Sequence, residues 1–365
     1  METEESTKDD KAPVSDGKKD LRSFTLPALT KIVTELGEKA FRAKQLYEWL
    51  HKKQVESFEE MKNLPKSLKE KLWENYCFFP TIVEKQLVSE LDGTRKFLFR
   101  LVDGNIIESV FMKYQHGNSV CISSQAGCRM GCRFCASALL GLTRNLSAGE
   151  MAGQIYAIAR ATGEKISNVV VMGTGEPLDN YEELISFLRI ISSEEGMHLS
   201  QRNITVSTCG LAERIRALAM EHFQITLAIS LHAPDDALRK EIMPVAYKYT
   251  IEEVLKACWF YFSETGRRIS FEYSLIQGEN DSETHAKELS GLLAGHNCHV
   301  NLIPVNPIKE RNYRKSEQDS IEKFKKILEK NRINVTIRRK MGADIDAACG
   351  QLRKQYIETT GGKGH

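Results

Sequence analysis

Apolar positions recur at helical spacing through residues 22–79. Leu29, Ile32, Val33 and Leu36 form one stripe, and Gly37 can stop that helix. Phe41, Leu46, Trp49 and Leu50 mark a second helix over 40–53. Met61, Leu64, Leu68, Leu72 and Trp73 continue the pattern, with Pro65 as a break. The period then drops to two. Three β-rich runs, near 83–90, 96–102 and 105–112, are separated by Asp92-Gly93 and Asp103-Gly104, the dipeptides of tight hairpins. They predict a three-stranded antiparallel piece. Glu108 lies in its last strand, where alternation predicts a carboxylate facing solvent.

From Val120 onward, strand and helix patterns alternate. Strands are predicted at 120–123, 168–172, 204–208, 226–231, 269–276, 300–305 and 334–338, and helices at 148–161, 181–192, 211–221, 251–265, 282–294 and 316–330. Repeated βα units imply a parallel sheet with right-handed crossovers. The fold class is therefore α/β. Six crossovers suit a partial (β/α)6 barrel, with a flat doubly wound sheet as the alternative from pattern alone. The expected organisation is a charged, disordered tail at 1–21 and a helical accessory domain at 22–80. An antiparallel β extension follows at 81–113, then the barrel at 114–350 and a C-terminal tail at 351–365.

Composition narrows the class without changing this picture. At 365 residues, 41% hydrophobic and 27% charged, the chain reads as globular, with room for a large core and an accessory module. It has no apolar run near twenty residues, so no membrane span is expected. The polar N-terminus lacks the apolar core of a secretory signal. A net charge of +2 does not by itself argue for nucleic acid. Lys39, Arg42, Lys44, His51, Lys52 and Lys53 give the helical module one basic stretch. It can be a solvated face or a grip on an RNA backbone.

The chemistry concentrates at 121–135, where four of the nine cysteines fall. Cys128, Cys132 and Cys135 are spaced C-x3-C-x2-C. Thiolates suit iron–sulfur clusters and zinc. Three ligands on one loop would leave one iron of a four-iron cubane open. A structural zinc would want a fourth Cys or His, and none follows within the next twenty residues. Clustered cysteines in an odd total point to a reducing cytoplasm rather than a disulfide framework.

Ligands of parallel α/β folds gather at the C-terminal ends of strands. Those ends carry Gly173-Thr174-Gly175-Glu176-Pro177, Ser207-Thr208-Cys209-Gly210, Ser230-Leu231-His232-Ala233-Pro234 and Pro304-Val305-Asn306-Pro307. Glu176 offers an acceptor for an ammonium group. A histidine such as His232, taken alone, is more often structural than catalytic. The last strand carries Arg338-Arg339-Lys340, which would suit a phosphate-bearing substrate. Cys349 beyond them could be a spare thiol, a fourth metal ligand or a nucleophile.

With these motifs in order, residues 108–352 resemble the RlmN/Cfr family of radical S-adenosylmethionine (SAM) RNA methyltransferases. The resemblance rests on the cysteine motif at 121–135, Arg144-Asn145-Leu146-Ser147, Gly-x-Gly-Glu-Pro-Leu at 173–178 and Ser-Leu-His-Ala-Pro at 230–234. Two more motifs follow, Asn-Leu-Ile-Pro-x-Asn-Pro at 301–307 and Asp-Ile-Asp-Ala-Ala-Cys-Gly-Gln-Leu at 344–352. It implies one [4Fe–4S] cluster on Cys128, Cys132 and Cys135. SAM contacts would come from Gly175, Glu176, Ser207, Ser230, Leu231, His232 and Asn306. It also implies a methyl carried on Cys349, a proton acceptor at Glu108, and Cys121 resolving the protein–RNA adduct through a transient disulfide with Cys349. The implied partners are 23S rRNA, tRNA and an electron donor such as a flavodoxin or ferredoxin, acting on a cytoplasmic monomer.

The implied product is 2-methyladenine at adenosine 2503 of 23S rRNA and adenosine 37 of tRNAs. Pro177 and Ala233-Pro234 favour this RlmN-type pattern over the Cfr-type, which methylates C8 of the same rRNA adenosine. Thr174 and Val305 depart from the family's usual Met and aromatic residue. Without the resemblance, the residues also fit a non-catalytic metal-containing RNA-binding module.

Overall fold

The computed structural model describes residues 17–79, 81–115, 117–306, 311–345, 352, 353 and 356. The N-terminal module holds α1 (Leu26–Glu35), α2 (Phe41–His51) and α3 (Lys66–Asn75). The predicted stripes close on each other: Leu29, Val33, Leu46, Leu50, Leu68 and Leu72 are fully buried in a core of their own. Gly37, at φ +80, ends the first helix, as a left-handed position favours. Trp73 departs from the pattern. It is 58% exposed, with the Lys18 ammonium 4.3 Å from its ring.

Residues 19–21, placed in the tail by their charge, belong to this module. Strand β1 (Lys19–Asp20) pairs in parallel with β2 (Tyr76–Cys77), and Leu21 is fully buried in the same core. Residues 1–16 of the predicted tail lie outside the described residues.

A ten-stranded sheet forms the rest. Strands β3 (Ile82–Val88), β4 (Arg95–Arg100) and β5 (Ile106–Met112) are the predicted antiparallel piece. Strand β5 pairs with β6 (Asn118–Ile122). A short ribbon follows, β7 (Gln125–Gly127) with β8 (Leu142–Asn145). The parallel strands continue as β9 (Ile166–Val171), β10 (Ile204–Thr208), β11 (Thr226–Ser230), β12 (Ile269–Leu275), β13 (Cys298–Pro304) and β14 (Asn334–Ile337). The crossovers carry α4 (Ala148–Thr162), α5 (Tyr181–Ser192), α6 (Ala212–Met220), α7 (Asp236–Ile242), α8 (Ile251–Thr265), α9 (Glu283–Leu293) and α10 (Gln318–Lys330). Capping boxes, Ser147 with Glu150 and Thr250 with Glu253, start α4 and α8. Helix α7 is additional to the predicted six.

From β6 to β14 the spatial order follows chain order without reversal. A doubly wound sheet would reverse direction once, so this is the partial barrel. Alternate residues of each strand, among them Val169, Val171, Val206, Leu227, Ile229, Phe271, Tyr273, Val300 and Leu302, share one buried core with the crossover helices. The residues between them therefore line the inner face: Cys121, Val170, Ser207, Ser230, Glu272, Asn301 and Thr336. Among the described residues no helix is long and apolar enough to cross a membrane.

Candidate active site

The cysteine loop is the excursion between β7 and β8. The Cys128 backbone N–H donates to the Gly141 carbonyl at 2.8 Å. Gly127 stands at φ +90, and a Cβ there would lie 1.9 Å from that same carbonyl oxygen. The loop folds back onto the strand ends: Met130, Cys132 and Phe134 pack on Cys209, Ala233, Ile242 and Met243. The Arg133 N–H donates to the Ile242 carbonyl at 2.9 Å. The Phe134 ring meets the His232 ring edge-on at 4.8 Å.

Among the described residues Cys77, Cys128, Cys132, Cys209, Cys258 and Cys298 are free thiols. Burial pushes Cys128 up to about 12. Burial first, then neighbouring Cys135 and Cys128, raise Cys132 well above an ordinary thiol, and Arg239 pulls it back only in part. Among the described residues no three Cys, His, Asp or Glu side chains converge as they would on a single metal ion. A cubane presents its irons at separate corners, so its ligands need not converge on one point. Three neighbouring thiols, Cys128 buried and Cys132 and Cys135 half-buried, whose thiolates would repel one another, fit a group that brings its own positive charge, since coordination to iron reverses the cost of deprotonation.

Beside the loop stands the turn after β9. A Cβ on Gly173 would come within 2.7 Å of the Ile122 carbonyl, and one on Gly175 within 2.6 Å of Gln125 Cβ. The glycines thus let this turn press against the chain leaving β6, a protein–protein approach rather than one to a ligand. Gln125 spans the gap. Its Oε1 accepts from the Glu176 N–H at 2.8 Å, and its Nε2 donates to Asn145 at 2.8 Å and Asp179 at 3.0 Å. Asp179 also pairs with Arg129 of the loop. The Glu176 carboxylate is buried and accepts from the Leu178 and Cys209 N–H groups at 3.0 and 2.8 Å. Burial raises its pKa and these donors oppose the rise. Ser124 Oγ nearby is buried without a partner, a polar atom left for something else to satisfy.

Ser207 and Ser230 are partly exposed on the inner face, Leu231 is buried, and Asn306 is exposed past the end of β13. His232 stands at φ +58. Its Nδ1 accepts the Ser274 backbone N–H at 2.9 Å, so a neutral ring must carry its proton on Nε2. Burial, reinforced by Arg239, lowers its pKa to about 3. The sequence offered no signal for Arg239, an ordinary residue of a polar helix. It is fully buried and donates to the carbonyls of Leu231, Tyr249 and Cys209, tying the turns after β10 and β11 together.

The solvent-facing expectation for Glu108 is overturned. Strand β5 is buried along its whole length, and Glu108 is 2% exposed. The Lys96 ammonium lies 3.5 Å from Oε2, which also accepts the Arg353 N–H at 3.2 Å. Arg353 and Leu352, assigned to a C-terminal tail, are packed here: Leu352 against Leu98 and Ile106, and Arg353 with its guanidinium on the Ile106 carbonyl at 2.6 Å. Val110, two residues beyond Glu108, faces Cys121 in register. Glu108 and Cys121 therefore share the inner face of adjacent strands, and Cys121 packs with Val110, Met112 and Met341. Cys349 lies outside the described residues.

A sequential parallel barrel with a C-x3-C-x2-C loop past its first parallel strand defines a radical SAM enzyme, and the Radical SAM superfamily model matches residues 122–289. A ribosomal RNA large subunit methyltransferase N-terminal domain model matches residues 19–78. The chain is 60% identical over 341 residues to a probable dual-specificity RNA methyltransferase RlmN of Lachnoclostridium phytofermentans, covering 93% of this chain and 96% of the relative. It is 54% identical to the Clostridium novyi protein of the same description, covering 93% and 99%. A crystal structure of a radical SAM methyltransferase from Sphaerobacter thermophilus superposes with a TM-score of 0.86 at 44% identity, covering 91% and 98%. The chain belongs to the RlmN family of radical SAM RNA methyltransferases.

Proposed function

We propose that this chain methylates C2 of adenosine 2503 in 23S rRNA and of adenosine 37 in tRNAs, with Cys349 as methyl carrier. The observation that carries the reading is the shared inner face of Glu108 and Cys121, directly upstream of the cysteine loop. Cys128, Cys132 and Cys135 would hold a [4Fe–4S] cluster, which when bound supplies the electron for reductive cleavage of SAM. An external donor of the flavodoxin or ferredoxin class would replenish that electron. Glu176, Gly175, Ser207, Ser230, Leu231, His232 and Asn306 would hold SAM. The Glu176 carboxylate suits its ammonium, and the Nε2–H of His232 is available as a donor. Glu108 accepts the proton leaving the adenine ring, and Lys96 beside it stabilises the charged carboxylate before that transfer. Cys121 then attacks the Cys349 sulfur, which frees the methylated RNA and leaves a disulfide for a cytoplasmic reductant to open.

The helical module supports an RNA substrate. Lys53 sits 3.4 Å over the Trp49 ring, Lys18 over Trp73 and Arg42 over Phe41, a mix of cations and partly exposed aromatics that suits phosphates and unstacked bases. The test uses anaerobically reconstituted protein and mass spectrometry of methyladenosine isomers in rRNA and tRNA. Cys349→Ala should abolish transfer, and Cys121→Ala should accumulate a covalent RNA adduct. Absence of that adduct would overturn the resolving role, and 8-methyladenosine as product would overturn the regiochemistry.

A further inference from the structure

The inner face carries a polar row of which the proposed chemistry uses only the first member, Ser230. Ser230, Glu272, Asn301 and Thr336 stand in register across β11, β12, β13 and β14. The hydrogen bonds along it run one way. Thr336 Oγ1 donates to Asn301 Oδ1 at 3.1 Å, so its oxygen is left to accept from His299 Nε2 at 2.9 Å. Asn301 Nδ2, its amide orientation thereby set, donates to Glu272 Oε2 at 2.8 Å. Three side chains thus present one carboxylate as the terminal acceptor. Glu272 is 5% exposed, and burial raises its pKa. A carboxylate has about four acceptor positions. Asn301 and Ser270 account for two, and the Arg338 charge also acts on the carboxylate.

Glu272 is joined to the proposed SAM site by its backbone as well. Its carbonyl accepts the Leu231 N–H at 3.1 Å and the His232 N–H at 3.4 Å, so it anchors the turn that would hold SAM. The side chain next to it across the row is Ser230. A ligand touching Ser230 from the inner face has the Glu272 carboxylate as its neighbour one strand over, about 5 Å away.

We propose that Glu272, oriented by Asn301, binds the donor groups of an adenosine: its ribose hydroxyls or its exocyclic amine. The assignment rests on the reading of the chain as a SAM-dependent RNA methyltransferase, which brings two adenosines to this barrel, one in SAM and one in the RNA. A free vicinal diol belongs to SAM, because the target nucleotide's 3′ oxygen is esterified. The amine belongs to both. A buried carboxylate discriminates for such donors, since a ligand lacking them leaves its remaining acceptor positions unfilled.

The experiment measures SAM affinity by equilibrium dialysis and RNA affinity by filter binding, using the full chain with its cluster reconstituted and an anticodon stem-loop as RNA probe. Glu272→Gln is isosteric and keeps an acceptor for Asn301. It should weaken one of the two ligands by about tenfold or more. Loss confined to SAM identifies the cofactor's adenosine, and loss confined to RNA identifies the target base. Asn301→Ala, which only disorients the carboxylate, should weaken the same ligand by a smaller factor. It serves as the second variant if Glu272→Gln folds poorly. Both affinities unmoved in both variants, with wild-type uptake of SAM intact, overturn this assignment alone. Wild-type protein that takes up no SAM overturns the enzymatic reading and this assignment with it.

Discussion

At the residue scale, Glu108 marks where the sequence could be read and where it could not. Its place in a strand was legible from the alternation around it. Its environment was not, because the rule that one strand face meets water fails when both faces are covered. Here α4 covers one side, with Ser109 donating to Gln154 at 2.7 Å, and Leu352 and Arg353, some 245 positions later, cover the other. Nothing near Glu108 in sequence announces that cover. The buried Lys96–Glu108 pair carries a stability prediction. Removing one partner of a buried pair costs about 3–5 kcal/mol where nothing else compensates the charge left behind, and here the Arg353 charge offsets part of that cost. Lys96→Met should therefore lower unfolding free energy by about 3 kcal/mol. Lys96→Met with Glu108→Gln should recover over half of that loss. Urea unfolding of the two variants checks it, and additive losses would show that the charges are not coupled.

At the element scale, the long βα units were legible because five to fifteen residues suffice to display a period. The β7–β8 ribbon, of three and four residues, was too short to display one, though it carries the cysteine loop. The Gln125 cross-link to the Glu176 turn depends on side-chain placement that no local pattern encodes. The ribbon's tight crossing yields a paired prediction. Gly127→Ala meets both a left-handed backbone and a Cβ position 1.9 Å from the Gly141 oxygen, so the ribbon must part. Gly141→Ala meets only the backbone strain, at φ +66 with open space around it. Iron per chain after anaerobic reconstitution should fall below half of wild type in Gly127→Ala and stay near wild type in Gly141→Ala, both with unchanged far-ultraviolet circular dichroism. Equal iron loading in the two would remove the ribbon from cluster assembly.

At the scale of the whole molecule, composition and period separate a helical module from a barrel but say nothing of how the two are joined. The joint is polar and buried. His51 of α2 shares a 2.9 Å hydrogen bond with Tyr156 of α4, the Tyr47 ring lies tilted against His51 at 4.4 Å, and Tyr47 donates to the Ile190 carbonyl at 3.4 Å. His51 Nε2 is buried with no partner. Burial, with Arg22 adding to it, lowers the His51 pKa to about 3 from an ordinary 6.5. Between those values the unfolded chain binds a proton that the native joint excludes. This contribution to stability is therefore fully present above pH 6.5 and is lost as pH falls towards 3, by about 1.4 kcal/mol per unit. Asp20, raised to about 7 by burial, works with the opposite sign, so the wild-type curve alone mixes the two. A difference isolates the histidine. Relative to His51→Gln, the wild-type apo-protein should hold a constant margin above about pH 7 and lose about 1.4 kcal/mol of it per unit below about pH 6. Urea unfolding at three pH values across that window measures the margin, and parallel curves for the two proteins would mean that the joint does not exclude the proton.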